Sequence, residues 1–459
     1  MTSPPAAKLS RSLGLWASMG IVVGTIIGTG VFLKTAVMAQ QAGSAQWVLI
    51  AWGLAGVLSL AGALTYAELG AMFPNAGGEY VYLRQAYGPY AGYLFGWTRF
   101  WIGTPGSIAA YAVGSATFLA DALPIAQLGG IKVVALILIA VFTLLGCLKV
   151  HTGGTLAVLL TALKVVLILA LGVAAFVLPP NGAWQNLAGS ADGTASFPGM
   201  SAFGLTIISA LWAYDGWNNL PMAAGEVSNP QRTMPRALIF GTLGVLAVYA
   251  LINVAYFYAL PFAEVVTANS ARFEDAPSLA TKVASTFLGP LAGGALAFAM
   301  TVSALSAMHG SILTGARVPY AIARDGLAPR WLADLSVKAV PVKAVLIQGV
   351  CSVILTLTGS FDQLTNAVIF SSWVFYTLNA VGVVLLRRRR PELARPYRVP
   401  GFPVIPLLFA LLSGLLLFNT VLSSTRDSLY GLLFMAISVP FYFLARRWHR
   451  VLDGHGDDA

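Results

Sequence analysis

Charge is scarce in this chain. Asp, Glu, Lys and Arg make up only 10% of its 459 residues, against about a quarter in a water-soluble protein. So little charge cannot cover a water-facing surface, which excludes a soluble globular domain. Cysteine is scarcer still. The two present, Cys147 and Cys351, lie in or at the ends of apolar stretches, and no disulfide framework is implied. The four histidines are scattered, so no metal-ligand spacing arises, and neither a phosphate-cradling glycine loop nor a nucleophile elbow occurs. No metal, no cofactor and no enzyme activity are therefore expected. A cleavable signal peptide is not expected either, because the first apolar segment runs straight into a glycine-rich string.

What is abundant is apolar surface. Hydrophobic residues make up 58% of the chain and the mean hydropathy is +0.78. Apolar runs of about 20 residues, enough to cross a bilayer as helices, recur throughout. Hydropathy and loop charge give about twelve spans, near 12–40, 45–73, 88–120, 130–149, 153–178, 200–226, 234–260, 288–315, 341–359, 363–386, 402–424 and 428–446. The expected fold is an all-α polytopic membrane protein forming a single transmembrane domain over residues 1–459, with membrane lipid as its solvent. The 73–90 segment, with Pro74 and Gly77-Gly78, is too polar and broken to be a span. Short surface helices are expected in 179–199 and 261–289, and an interfacial amphipathic stretch in 317–341.

The net charge of +10 is not a nucleic-acid signal, because the basic residues crowd alternate loops. Arg84, Arg232, Arg236, Arg317, Arg324, Arg330, the run Arg387 to Arg390, Arg395 and Arg398 fall on one side; Lys132, Arg272, Lys282 and Arg426 fall on the other. The positive-inside rule makes the first side cytoplasmic and puts both termini there, in a plasma (cytoplasmic) membrane.

Two spans break at their middles. The first contains Val23-Gly24-Thr25-Ile26-Ile27-Gly28-Thr29-Gly30, and the sixth contains Trp212-Ala213-Tyr214-Asp215-Gly216-Trp217-Asn218. An interruption at mid-depth strands backbone N–H and C=O groups without water, which is tolerated only beside a cavity. The two discontinuous helices, 1 and 6, lie five spans apart. That spacing suggests inverted five-helix repeats, about 12–178 and 200–386, with two further helices over 402–446, and a polar solute held between the breaks. In the first break, the amide end of the following half-helix suits a carboxylate, with Thr25 and Thr29 adding hydroxyls. Small-residue packing of Gly24 and Gly28 is the alternative. In the second, carbonyls around Trp212 to Gly216 suit an ammonium, and Trp212 could close over the solute. The carboxylate of Asp215 is costly in a span and either meets a cationic side chain or bonds the unwound backbone.

Lys164 lies mid-way along the fifth span, too deep to reach either surface. Its ammonium needs oxygens, for which carbonyls around Val23 and Gly24 and a hydroxyl from Ser303 or Ser306 are the candidates. A fixed charge there would tie three helices together as a bound sodium ion could. Arg99, Glu68 and Lys34 are read as structural ion pairs outside the site.

The strings quoted, with Tyr66-Ala67-Glu68-Leu69-Gly70, Gly77-Gly78-Glu79-Tyr80, Gly225-Glu226-Val227, His309-Gly310-Ser311, Arg324-Asp325-Gly326 and Arg395-Pro396-Tyr397, resemble the amino acid–polyamine–organocation superfamily, in its L-type amino acid transporter branch, as a prokaryotic relative. The resemblance spans nearly the whole chain. It implies 5+5 inverted repeats, alternating access, one-for-one exchange of amino acids without sodium, and a lysine standing where sodium-coupled relatives hold a cation, here Lys164. Substrate contacts then fall on Ile26, Thr29 and Gly30 and on Trp212, Ala213 and Asp215. Animal members join a glycoprotein through a cysteine between spans three and four; 120–131 has none, so no disulfide-linked heavy subunit is expected. The expected activity is exchange of neutral L-amino acids, with cationic ones as a further class. A proton-coupled importer using Lys164, a cationic amino acid or polyamine transporter, and a non-transporting amino acid sensor are the alternatives.

Overall fold

The computed structural model describes residues 11–148, 153–337, 339–359, 361–423 and 425–453; both chain ends lie outside them. The described residues are helical, joined by turns and three isolated bridges, with no β-strand among them. The helices are α1 (Leu15–Ile26), α2 (Gly30–Ala42), α3 (Ala45–Met72), α4 (Glu79–Tyr87), α5 (Pro89–Thr98) and α6 (Thr104–Ala120). Next come α7 (Gly130–Gly146), α8 (Gly153–Val177), α9 (Met200–Tyr214), α10 (Asn219–Met222), α11 (Pro230–Ala259) and α12 (Phe262–Val266). The last are α13 (Leu279–Gly315), α14 (Arg317–Arg324), α15 (Val342–Thr358), α16 (Phe361–Arg389), α17 (Val404–Ser423) and α18 (Thr425–Asp453). Taking α1 and α2 as one, seven are long and apolar enough to cross a bilayer, and four shorter apolar helices lie in α7, α8, α9 and α15. The protein is a polytopic membrane protein.

Local sequence sets the boundaries. Ser44 caps α3 by accepting the Trp47 amide, and Ser278 caps α13 by accepting that of Thr281. In each case the hydroxyl satisfies an amide that a helix start leaves free. Asn229, at φ 46°, and Pro230 start α11. Gly289, at φ 69°, puts a kink into α13, where the eighth span was read to begin. The 73–90 segment is non-spanning, yet it is not a surface loop: Glu79, Tyr80 and Tyr82 are buried. Short helices do occur in the two long loops, over Trp184–Ala188 and α12. The 317–341 stretch differs from its interfacial expectation, because Tyr320, Ile322 and Leu327 pack into protein and Gly96 receives the Ile322 tip.

The half-helices sit at the centre. α1 packs against α8, α11 and α13, α2 against α9, and α3 against both α9 and α11. Around them, α7, α8, α15, α17 and α18 turn rows of Leu, Val and Phe outwards, among them Leu144, Val166, Leu411, Phe418 and Phe443. Water would oppose such rows; hydrocarbon does not, and the pattern is that of a bundle solvated by lipid.

The two ends of the bundle differ. At the start of α1 a short parallel bridge clasps the chain: Leu13 donates its amide to Glu226 O (2.9 Å) and accepts that of Ser228 (2.8 Å). The Glu226 carboxylate takes Arg317 Nε at 2.9 Å. Nearby, Glu68 is gripped by Arg387 at 2.9 and 2.5 Å and accepts the Val399 amide at 2.8 Å, so the ion pair expected of Glu68 links α3 to α16. At the far end of α2 a vestibule of about 720 Å³ opens, lined by residues that include Leu33, Val113, Thr117, Asp121, Lys132 and Glu274.

Candidate functional site at the two helix breaks

α1 stops at Ile26 and α2 starts at Gly30. Between them Ile27 leaves the helix at ψ 88° and Thr29 stands as an N-cap whose side chain makes no cap bond. α9 ends at Tyr214; Asp215 is extended and Gly216 takes φ 128°, a conformation that favours glycine. The breaks touch. A Cβ on Gly30 would lie 2.5 Å from Ala213 Cα, and one on Gly216 would lie 2.7 Å from the Thr25 carbonyl carbon. Thr25 Oγ1 donates to Gly216 O at 2.9 Å, though it also reaches Ile21 O at 2.6 Å within its own helix. Glycine is needed at both positions because backbone meets backbone.

The carbonyls released at the end of α1 are taken up by the protein. Lys164 Nζ donates to Gly24 O and Ile27 O, both at 2.8 Å, and to Ser303 O at 3.3 Å. Ser303 Oγ donates to Ile27 O at 3.3 Å. Tyr111 OH donates to Thr25 O at 3.1 Å. Tyr249 OH lies 3.1 Å from Ile26 O and 3.0 Å from Ala213 O, one proton shared between a carbonyl of each break. Lys164 is 4% exposed, and a cavity of about 10 Å³ beside it, lined by Phe32, Leu167, Ile168, Met300 and Ser303 among others, has room for a single water at most.

Around Lys164 the geometry differs in detail from the sequence reading. The ammonium takes three carbonyls and no hydroxyl, and Val23 O is spent on the Ile27 amide. Ser303 contributes its carbonyl, while among the described residues no hydrogen bond joins Ser306 to Lys164. An ammonium needs three acceptors; the end of α1 supplies two and the backbone of α13 the third, without a side chain.

The amide end of the first break is left open. α2 begins without a side-chain cap, and the buried Thr29 hydroxyl has no hydrogen-bond partner. Gly28 lies against the Tyr111 ring, and that ring faces Trp212 at 5.6 Å. Uncapped first-turn amides and a buried hydroxyl without a partner are the groups that a bound anion would require.

The second break has different neighbours. Asp215 Oδ1 accepts from Tyr376 OH at 2.6 Å. Arg99, 5% exposed, donates to Asn219 Oδ1 at 2.9 Å and lies within Coulomb range of both Asp215 and Glu79. Arg99 thus belongs to the site's surroundings, contrary to the sequence reading that set it aside. Lys34 stays outside it, donating to Thr365 Oγ1 at 2.8 Å. Tyr111, Tyr249 and Tyr376 were missed altogether. Each is a phenol in an otherwise apolar span, and each hydroxyl needs a buried acceptor, the signal that could have singled them out.

The family described as "Amino acid permease" matches residues 13–443. The chain is 32% identical to the b(0,+)-type amino acid transporter 1 of Rattus norvegicus over 96% of its own length and 89% of that protein's. It is 30% identical to the serine/threonine exchanger SteT of Bacillus subtilis, over 95% and 97% of the two chains. It is 29% identical to the human cystine/glutamate transporter, over 97% and 88%.

Proposed function

The chain belongs to the amino acid permease family, and from that premise we propose that it is a sodium-independent exchanger of neutral L-amino acids working by alternating access. Its relatives are transporters and exchangers, not enzymes. One observation carries the finer reading. At the first break Lys164 saturates the carbonyl end, where a bound cation would otherwise be needed, while the amide end with Thr29 stays free. A substrate carboxylate would sit on that amide end, against Thr29 and Gly30, and its ammonium would meet the carbonyls that close α9 near Trp212 to Asp215. Trp212 and Tyr111 would cover it.

In this reading the molecule has twelve spans in two inverted repeats of five, with α17 and α18 appended, in one transmembrane domain. It lies in the plasma membrane with both termini cytoplasmic. The Leu13–Ser228 clasp and the Glu226–Arg317 pair then seal the cytoplasmic side, and the vestibule is the external entry. The 120–131 stretch lacks cysteine, which supports a chain acting without a disulfide-linked subunit.

Counterflow in proteoliposomes tests this. Labelled alanine or serine should enter only when unlabelled substrate is inside, at the same rate in sodium and in choline buffer. Uptake into empty vesicles driven by a proton gradient would replace the exchanger with a proton-coupled importer, and binding without movement would leave a sensor.

A further inference from the structure

We propose that Arg99 is a specificity-determining residue: it supplies, from within the protein, the positive charge that Asp215 would otherwise take from a substrate, and so keeps amino acids with cationic side chains out of the exchanged set. The proposal rests on the exchange reading of the same site.

A carboxylate in a membrane span faces a pathway or a partner, and taken alone Asp215 would invite a lysine or arginine side chain. The structure gives it partners already. One oxygen accepts Tyr376 OH from α16 at 2.6 Å, and the Arg99 guanidinium lies within Coulomb range. Arg99 is anchored to the same broken helix, since its Nη2 donates to the Asn219 side chain at the start of α10. Its position depends on a local distortion. Pro105 has no amide to give, so the helix opens into a wide turn over Arg99–Gly103 before α6 begins. Such turns re-aim side chains and recur at functional sites. Gly103 lets the Arg99 chain pass, as a Cβ there would lie 3.0 Å from Arg99 Cδ.

The remaining charge nearby is Glu79, in the short helix between the second and third spans. Burial pushes its carboxyl up to about 8, so at neutral pH it is mostly protonated, and Asp215 is the carboxylate left within Coulomb range of Arg99. Several polar atoms around the pair are buried without partners: Arg99 Nε, Glu79 Oε1, both side-chain polar atoms of Asn218, and Asn379 Oδ1. Buried polar atoms are rarely left unpaired, and a second cation brought among these would meet Arg99 with little screening. Like charges brought together in such surroundings cost enough to exclude a ligand.

The test is a competition panel in the counterflow assay, reading the ratio of lysine to alanine half-inhibition for wild type, Arg99→Gln, Arg99→Lys and Asp215→Asn, each checked for monodisperse elution in detergent. Wild type should be competed by small neutral amino acids and at least about tenfold more weakly by lysine. Arg99→Gln should shift the ratio toward lysine by at least about tenfold, whatever happens to its absolute rate, and Arg99→Lys should keep the wild-type ratio. Asp215→Asn, which leaves Arg99 uncompensated, should favour aspartate or glutamate. Lysine competing with wild type as well as alanine does would overturn the proposal while leaving exchange intact, and so would Arg99→Gln and Asp215→Asn panels that match wild type. If Arg99→Gln does not fold, the wild-type and Asp215→Asn panels still decide. No exchange of any amino acid would instead overturn the function on which the proposal rests.

Discussion

The two broken helices face the same physical problem and meet it with opposite charges. At the first, four carbonyls from Gly24 to Ile27 are satisfied by donors brought from other helices, Lys164 first among them. At the second, the chain carries its own carboxylate, Asp215; α16 brings it a phenol, and the turn between α5 and α6 puts a guanidinium within Coulomb range. The first break is stitched on its carbonyl side and open on its amide side. The second is held from the side, with Ala213 O taken by Tyr249 and Gly216 O by Thr25. In the exchange reading proposed above, a substrate zwitterion would put its carboxylate at the first break and its ammonium at the second. In that reading a fixed cation at one break does not complete the site: it occupies one end of a dipole and would leave the other to a ligand.

Removing Lys164 should break this comparison most severely. In Lys164→Ala three buried carbonyls lose a donor, Ile27 O keeping only the Ser303 hydroxyl. A buried acceptor left bare costs about 1–3 kcal/mol, and α1, α8 and α13 lose their common tie. Exchange should fall at least about 100-fold, the equivalent of about 2.7 kcal/mol, with the protein still inserted and monodisperse. A variant that exchanges at the wild-type rate would refute any coupling role for the ammonium.

Next in size is the contact between the breaks. Gly30→Ala puts a methyl 2.5 Å from Ala213 Cα, and because the obstacle is backbone it cannot rotate away. We expect a loss of about tenfold or more in exchange, together with trapping of one side open, read as raised labelling of a cysteine introduced in the vestibule. Unchanged exchange would mean the two segments do not press together during the cycle.

Tyr249→Phe sharpens the comparison rather than breaking it, since it removes a hydroxyl that reaches a carbonyl of each break. Losing a hydrogen bond to a buried carbonyl is worth about 1 kcal/mol, so substrate affinity or rate should fall about fivefold, for alanine and serine alike. A selective loss for one substrate would put Tyr249 against the side chain instead of the backbone.

How much of this could be read from the sequence depends on where each cause lies. The breaks were legible because glycine clusters interrupt apolar runs, and Lys164 because an ammonium in a span has nowhere else to go. The Glu68 pair was legible for the same reason. The phenols of Tyr111, Tyr249 and Tyr376 were not, because a tyrosine in an apolar helix looks like core until the acceptor opposite it is known. Arg99 was set aside as an ordinary ion pair. Its orientation depends on the turn forced by Pro105, six residues on, and on Asn219, 120 residues away, and neither is a local signal. The packing of 317–341 was misread for a related reason: an amphipathic stretch shows which face is apolar but not whether lipid or protein covers it.

The smallest expected effect separates two serines that hydropathy could not. Ser303 gives Lys164 its backbone carbonyl and donates its hydroxyl to Ile27 O at 3.3 Å, whereas Ser306, one turn along α13, has no hydrogen bond to the ammonium. Ser303→Ala keeps the carbonyl and loses only a long bond, so exchange should drop about twofold to fivefold, in line with about 0.5–1 kcal/mol for a modest hydrogen bond. Ser306→Ala should leave the rate within error of wild type. Equal losses in both would mean that the hydroxyls act by packing against α1. A larger loss in Ser306→Ala would place the ammonium one turn further along α13, and the stitched break would then be held by a different set of oxygens.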